Sequence, residues 1–161
     1  MLTNTFMRQF LCVLLLFFSA FAMANQHGKS NTLEQLDAQV LLKAPALSID
    51  QAVSDTRWQS YQKRDSNQGI GNQLYWLRFA VANNSDAPNF YILSTETTYI
   101  DNIIVYQRTD ANKPFTVTAL SDREPFAQRP LFYRTLATPL QIPAISSSEI
   151  YIQAFNSNLI Q

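Results

Sequence analysis

The stretch Tyr75-Trp76-Leu77-Arg78-Phe79-Ala80-Val81-Ala82 decides the fold class, because its side chains alternate as they do in a half-buried β-strand. Its odd-numbered side chains are large and apolar, so they are expected to face a core. Trp76 and Arg78 then lie on the opposite face. A chain built around such a strand belongs to a sheet protein.

Five further strand patterns follow at intervals of about 10–15 residues, separated by polar turns. They cover residues 90–95, 101–106, 115–120, 133–142 and 149–155. The second pattern is apolar on both faces, which indicates a central strand. The fourth contains Pro139, and proline has no N–H for a ladder hydrogen bond, so this strand is expected at a sheet edge or at a bulge.

Two capping-box patterns, at residues 32–35 and 48–51, predict short helices ahead of the strands. The first is ambiguous, because residues 39–42 could equally form a first strand. The fold class predicted is therefore all-β in the main: an antiparallel β-sandwich or jelly roll with one or two short N-terminal helices. Asn83-Asn84-Ser85 matches a glycosylation pattern, but we interpret it as turn chemistry between two strands.

The N-terminus has the pattern of a cleavable signal peptide over residues 1–24. Arg8 precedes an apolar run at residues 10–21, and Ala22-Met23-Ala24 supplies the small residues that signal peptidase accepts. The run is shorter than the roughly 20 residues of a membrane-spanning helix. We therefore predict export to the periplasm, with a retained signal anchor as the alternative. Residues 25–31 are predicted to be a disordered tail, and residues 32–161 the exported domain.

Composition excludes several classes of function. The only cysteine, Cys12, lies too early in the apolar run for lipid attachment and leaves with the signal peptide, so disulfides and thiolate sites are excluded. Twelve basic residues balance twelve acidic ones, which argues against nucleic-acid binding. Three glycines in the whole chain leave no phosphate-binding loop. No catalytic or metal-binding motif is present, and we predict a non-enzymatic domain without a cofactor.

Two segments carry candidate ligand-binding residues. Trp76 and Arg78 share a face of the first strand, and Arg129, Tyr133 and Arg134 follow a proline-braced turn. An exposed tryptophan beside guanidinium groups can stack on a sugar ring and form paired hydrogen bonds with a carboxylate or phosphate. The structural alternative is that the tryptophan covers the sheet while the arginines bind loop carbonyls. For Arg129 in particular, we expect hydrogen bonds to loop carbonyls or to the carboxylate of Asp122.

The same residues carry a family resemblance. Residues 75–79, 83–84, 101–106, 122–130 and 140–144 resemble the bacterial 7TM-DISM extracellular domain of type 2, over about residues 42–158. Its most specific parts are Trp-Leu-Arg-Phe and Asp-x-x-Pro-Phe-x-x-Arg, in this order. Ser121 stands where the family commonly has glycine. The resemblance implies a jelly roll akin to carbohydrate-binding modules.

The resemblance also implies a role and partners. Such domains are the periplasmic sensors of receptors, and the implied ligand is a small molecule, with carbohydrates among the candidates. The implied partners are a seven-helix membrane region and an output domain, either a diguanylate cyclase or a histidine kinase. We therefore predict a periplasmic ligand-binding sensor domain, with a structural or protein-interaction module as the alternative. A ligand sensor should leave Trp76 and Arg78 open on a concave face, whereas an interaction module should expose a flat apolar patch.

The last strand pattern gives one more expectation. Only residues 156–161 follow residues 149–155, whereas in the family that the chain resembles a further strand and a linker normally follow, so the resemblance implies a domain truncated at its C-terminal end. A missing neighbour would leave one strand edge with unpaired N–H and C=O groups, which invites self-association.

Overall fold

The computed structural model describes residues 34–42, 47–66, 73–95 and 100–156. These residues form eight strands, one α-helix and three short 3-10 helices. The strands are β1 (Gln39–Leu41), β2 (Gln59–Ser60), β3 (Gln73–Asn83), β4 (Asn89–Ser94), β5 (Asn102–Arg108), β6 (Thr116–Ser121), β7 (Ala137–Ile142) and β8 (Ser146–Asn156). The α-helix α1 spans Ile49–Ser54, and the 3-10 helices are Glu34–Leu36, Lys63–Ser66 and Phe126–Gln128. The predicted all-β class is confirmed.

The strands form two antiparallel sheets. The large sheet has the order β2-β1-β3-β8-β5-β6, and the small sheet pairs β4 with β7. Apolar side chains from the inner face of the large sheet pack against those of the small sheet and form the main core. Its members include Leu77, Phe79, Ile103, Val105, Leu140, Ile150 and Ile152, with Tyr91 and Leu93 packed against them. The packing of two sheets around this core is a sandwich.

The other face of the large sheet is also covered. A second core contains the buried residues Leu41, Ala52, Trp76 and Tyr151, surrounded by partly buried apolar residues that include Trp58, Tyr106 and Phe115. Helix α1 supplies Ala52 to this core. The large sheet is therefore covered by the small sheet on one side and, around Trp76 and Tyr151, by α1 and its neighbours on the other.

The sequence signal that begins α1 is confirmed. The backbone N–H of Ser48 donates to Gln51 Oε1 at 2.9 Å, and the backbone N–H of Gln51 donates to Ser48 Oγ at 3.3 Å, which completes a capping box. Upstream, the strand alternative holds: β1 occupies Gln39–Leu41 after the 3-10 helix Glu34–Leu36. Thr32, the signal peptide and the predicted tail lie outside the described residues, and their assignments remain predictions.

Two strand expectations need correction. The strand predicted over residues 133–142 begins only at Ala137, because the chain after Pro130 turns on itself, with the N–H of Tyr133 donating to the carbonyl of Leu131 at 2.8 Å. Pro139 does lie in a strand paired on one side only, as predicted. The last strand, β8, is central and pairs with β3 on one side and β5 on the other. The expectation of an unpaired edge at this strand is therefore wrong.

A search for membrane-crossing helices among the described residues finds no helix with the necessary length and apolarity.

Candidate functional site

Trp76 is not part of an open surface. Its side chain is 0% exposed, and its indole stacks on the ring of Tyr106, with centroids 5.6 Å apart and ring planes at 25°. The alternation of β3 placed Trp76 correctly on the face opposite Leu77 and Phe79. The open face that a ligand contact would need is absent here, because the second core covers Trp76, as in the structural alternative weighed for this residue. In this conformation Trp76 cannot contact a ligand.

Arg78 lies at the margin of the same core and is half-buried. Its Nε donates to Gln39 Oε1 at 2.7 Å, and its guanidinium carbon lies 4.4 Å from the ring centroid of Trp58. The indole N–H of Trp58 in turn donates to the carbonyl of Ala52 in α1, at 3.0 Å. Arg78 therefore connects β1, β3 and the segment after α1, which is the structural role weighed above for these arginines.

The rest of the second core is an aromatic layer whose rings contact one another. Phe115 lies edge-on to Tyr106 and to Tyr151, with centroids 6.2 and 5.7 Å apart. Arg108 lies over the ring of Phe115 at 4.5 Å and pairs with Glu149 at 2.7 Å. Burial raises the pKa of the Tyr106 phenol above its usual value. Each of these rings thus has a neighbouring ring or guanidinium group packed against it.

The other three predicted site residues lie together in the connection between β6 and β7, residues 122–136, which we call the aromatic loop. Tyr133 and Arg134 are exposed, whereas Arg129 is half-buried. The strand register aligns Trp76 of β3 with Ala119 of β6, and the strands β8 and β5 lie between them. Three strand spacings, about 14 Å, therefore separate Trp76 from β6, the strand that leads into the aromatic loop. The structure therefore separates the predicted residues into two groups rather than one site.

Arg129 makes the contact that was expected of it. Its Nη2 donates to the backbone carbonyl of Asp122 at 2.9 Å, and its guanidinium carbon lies 5.6 Å from the ring centroid of Phe126. Of its remaining donors, Nε is buried and has no hydrogen-bond partner among the described residues. The predicted bonding of Arg129 to a loop carbonyl is confirmed, and this bond joins the two ends of the segment 122–129.

We expect Arg129→Lys to lower the free energy of unfolding by about 1 kcal/mol, because an ammonium group cannot hold the Asp122 carbonyl and cover the Phe126 ring at once. Urea unfolding followed by circular dichroism measures this change. The matched control is Arg134→Lys, at an exposed position in the same loop, which should leave the unfolding curve unchanged. Superimposable curves for wild type and the Arg129 variant would contradict the assigned role.

A cleft that the sequence analysis missed lies between β6 and β7. It has a volume of about 320 Å³, and its lining comprises Phe90, Val105, Gln107, Thr116, Thr118, Pro139, Leu140 and Gln141. The small sheet has only two strands and leaves the inner face of β6 partly uncovered. Gln107 crosses the gap between the sheets: its Nε2 donates to the carbonyl of Gln141 at 2.8 Å and to Ser148 Oγ at 3.3 Å.

The cleft lining carries no charged side chain, and its exposed area is more apolar than polar. Four of its lining residues have uncharged polar side chains, and the other four are apolar, among them Phe90, which lies on the outward side of β4 and is 72% exposed. These groups suit a neutral ligand with hydroxyls and an apolar ring face, whereas nothing in the lining would balance a charge. The sequence carried one signal of this cleft: Thr116 and Thr118 share the inward face of β6 with the buried Leu120. No cluster of three or more potential metal ligands occurs in the part of the chain that the structure describes.

Comparison with known proteins gives the family. A search of curated proteins finds no match. The family model for the 7TMR-DISM extracellular 2 domain matches residues 40–161. This range contains β3, the aromatic loop and both walls of the cleft, and it agrees with the resemblance drawn from the sequence segments. Because the match covers most of the chain, this protein belongs to the 7TMR-DISM extracellular 2 family of receptor sensor domains.

Proposed function

We propose that this chain is the periplasmic input domain of a seven-transmembrane receptor and that it binds a neutral, hydroxylated small molecule, carbohydrates above all, in the cleft between β6 and β7. Membership of a family of extracellular sensor domains supports the input role. The observation that carries the ligand class is an uncharged lining in which apolar side chains, including the exposed Phe90, adjoin the hydroxyl groups of Thr116 and Thr118. The proposed partners are the membrane helices of the receptor and, beyond them, a cyclase or kinase output domain.

Signal transmission follows from the position of the cleft. Its walls include β6 and β7, and these two strands are joined directly by the aromatic loop. A ligand that contacts Thr118 on one wall and Pro139 or Gln141 on the other would change the spacing of the two strands. That change would pass to both ends of the loop, because the loop begins at the end of β6 and leads into β7. Chemistry on the ligand is not needed for such a role.

The test is a binding screen with the Phe90→Ala variant. Neutral mono- and disaccharides are expected to raise the melting temperature of the wild-type protein, whereas dicarboxylates and inorganic phosphate should not. In calorimetric titration with an active sugar, loss of the Phe90 ring should weaken binding about tenfold, the value of one buried apolar face. Ile92→Ala is the matched control, because Ile92 is also exposed on β4 but does not line the cleft.

Two outcomes would contradict the proposal. Equal sugar affinity for the wild type and the Phe90 variant would remove the cleft as the site. Stabilisation by anionic ligands alone would remove the ligand class, and would direct attention to Tyr133 and Arg134, the exposed members of the residues first predicted from the sequence.

One observation favours the alternative function, a protein-interaction module. Phe90 and Ile92 lie on the outward side of the small sheet and are both exposed, which makes an apolar patch of the kind expected for such a module. If this patch binds a protein, alanine at either position should weaken that complex equally. Ligand binding in the cleft, by contrast, should depend on Phe90 alone, so the same two variants separate the two functions.

A further inference from the structure

The aromatic loop exposes apolar rings that the described part of the domain covers only in part. Phe126 and Phe132 are 50% and 74% exposed, and their ring centroids lie 5.7 Å apart. Tyr133, the next residue, is exposed as well. Several large aromatic side chains on one short loop are unusual for a surface facing water alone, so a binding partner is indicated.

The same loop carries unpaired positive charge. Arg123 and Arg134 are exposed, and neither forms an ion pair with another described residue. The loop has three arginines against the two carboxylates of Asp122 and Glu124. Arg129 is engaged within the loop, as described above, which leaves Arg123 and Arg134 with donors directed to the surroundings. Aromatic rings beside arginines match the headgroup region of a bilayer, where rings enter the interface and guanidinium groups bind lipid phosphates.

Strand register places the loop at one particular end of the domain. Phe155, near the end of β8, pairs with Asn102 at the start of β5, and Asn102 pairs with Ser121 at the end of β6. The aromatic loop therefore begins about 10 Å, two strand spacings, from the point where β8 leaves the sheet. In the receptor proposed above, the chain continues from β8 toward the membrane helices, so this end of the large sheet faces the bilayer.

We propose that the aromatic loop is a membrane-contacting loop, with Phe126, Phe132 and Tyr133 in the interface and Arg123 and Arg134 on lipid phosphates. This inference rests on the proposed function for the direction of the membrane. It adds a partner, the lipid surface, and a consequence for signalling. The loop joins β6 and β7, the two strands that form the walls of the ligand cleft. Contact with lipid would hold the loop in place while a ligand changes the spacing of these two strands.

The experiment follows tryptophan emission at a single loop position. The F132W variant is mixed with vesicles of phosphatidylethanolamine and phosphatidylglycerol, without sugar, and its spectrum is compared with that of wild type, since Trp58 and Trp76 are common to both. The matched control is F90W. Phe90 is 72% exposed, against 74% for Phe132, but it pairs with Gln141 near the far end of β7, away from the loop. The F132W emission should shift to shorter wavelength and be quenched by brominated lipid, while that of F90W should not change.

A second variant tests the charge. R134Q combined with F132W should raise the lipid concentration for half-maximal shift about fivefold on the anionic vesicles, because one arginine near such a surface is worth about that factor. Its effect should be smaller on vesicles of phosphatidylcholine alone, because the choline group balances the charge of each phosphate and the surface carries no net negative charge. Both residues are exposed, so neither change should alter folding.

Three results would overturn the inference. The F132W emission could stay at its value in water, the F90W emission could shift equally, or the F132W shift could require receptor protein in detergent instead of lipid. The last would assign the loop to a protein contact. A failure of sugar binding would leave these measurements untouched, because no sugar is present in them.

Discussion

Replacing Trp76 by alanine is expected to lower the free energy of unfolding by about 3–5 kcal/mol, because the indole is fully buried in the second core and stacks on Tyr106. The substitution would leave a cavity beneath α1 that the flanking strands β1 and β8, both tied to β3 by hydrogen bonds, cannot close. Urea unfolding at a single temperature measures the change. In a domain of this size, such a loss is a large part of the total stability.

The control is Phe90→Ala, which also deletes a large aromatic ring but at an exposed position, and should cost no more than about 0.5 kcal/mol. The contrast separates the two possible roles of Trp76. Were Trp76→Ala as stable as wild type but unable to bind sugar, the residue would be a ligand contact and the second core would be misassigned. A large loss of stability with intact binding to the folded protein is the expected pattern.

The face of a strand can be predicted from alternation, but what covers that face cannot. The pattern of β3 correctly placed Leu77 and Phe79 on one side and Trp76 and Arg78 on the other. Whether the second side meets water depended on α1 and Trp58, which come from a segment before β3 and pack there by tertiary contacts. The capping box at Ser48 predicted the helix itself, because both of its hydrogen bonds are local. The face of the sheet on which that helix packs could not be predicted, because it depends on contacts with residues distant in the sequence.

Strand pairing shows the same limit. Pro139 predicted an edge strand, because the missing N–H is a property of that residue alone. The central position of β8 was not predicted, since it depends on pairing with Tyr75 and with Ile103, residues about 50 to 80 positions earlier in the chain. Proline, caps and alternation are local signals, whereas strand order is a property of the whole domain.

One part of the candidate site could be predicted from local sequence, and another part could not. The bond from Arg129 to the Asp122 carbonyl was predictable, because both groups lie within one short turn. The cleft was not, because it arises where a two-stranded sheet fails to cover a six-stranded one, and only the assembled sheets show that offset. The sequence signal for the cleft is that Thr116 and Thr118 lie on the inward face of β6. This signal is not specific, because polar residues are also common near the end of a strand at the edge of a core.

Asn83 forms the polar junction between the two sheets. It is only 1% exposed, at the end of β3. Its Nδ2 lies within hydrogen-bond distance of three backbone carbonyls, those of Ala87, Ile142 and Pro143, at 2.8, 3.1 and 2.9 Å. Its Oδ1 accepts from the backbone N–H and the hydroxyl of Ser85 and from Asn89 Nδ2. The interpretation of Asn83-Asn84-Ser85 as turn chemistry agrees with the local bonds of Asn83 to Ser85 and Ala87, and its bonds to Ile142 and Pro143 join the turn to the end of β7.

We expect Asn83→Asp to lower the free energy of unfolding at neutral pH by about 3–5 kcal/mol, although the side chain keeps its size and shape. The change removes both donors and places a buried negative charge against three carbonyl oxygens, with no cation among its described contacts. The bonds from Ser85 and Asn89 survive and recover only part of the loss. The measurement is chemical unfolding near pH 7.

The pH dependence identifies the cause. Burial and the facing carbonyls should raise the pKa of the new carboxyl in the folded state above its unfolded value of about 3.9. A raised folded pKa means that the charged form is the destabilised one, so the deficit is largest above that pKa and shrinks as the pH falls through it. Some deficit should persist in acid, because a protonated carboxyl donates one hydrogen bond where the amide donated two.

Asn84→Asp is the matched control, since it introduces the same charge at the neighbouring, exposed residue and should change stability by no more than about 0.5 kcal/mol. Measuring both variants at each pH removes the acid sensitivity of the rest of the protein from the comparison. Equal stabilities for the two variants would show that the Nδ2 donors do not hold the sheets together. A deficit in the Asn83 variant that does not vary with pH would show that the buried charge is not its cause. The difference between these adjacent substitutions therefore measures the strength of the junction between the two sheets.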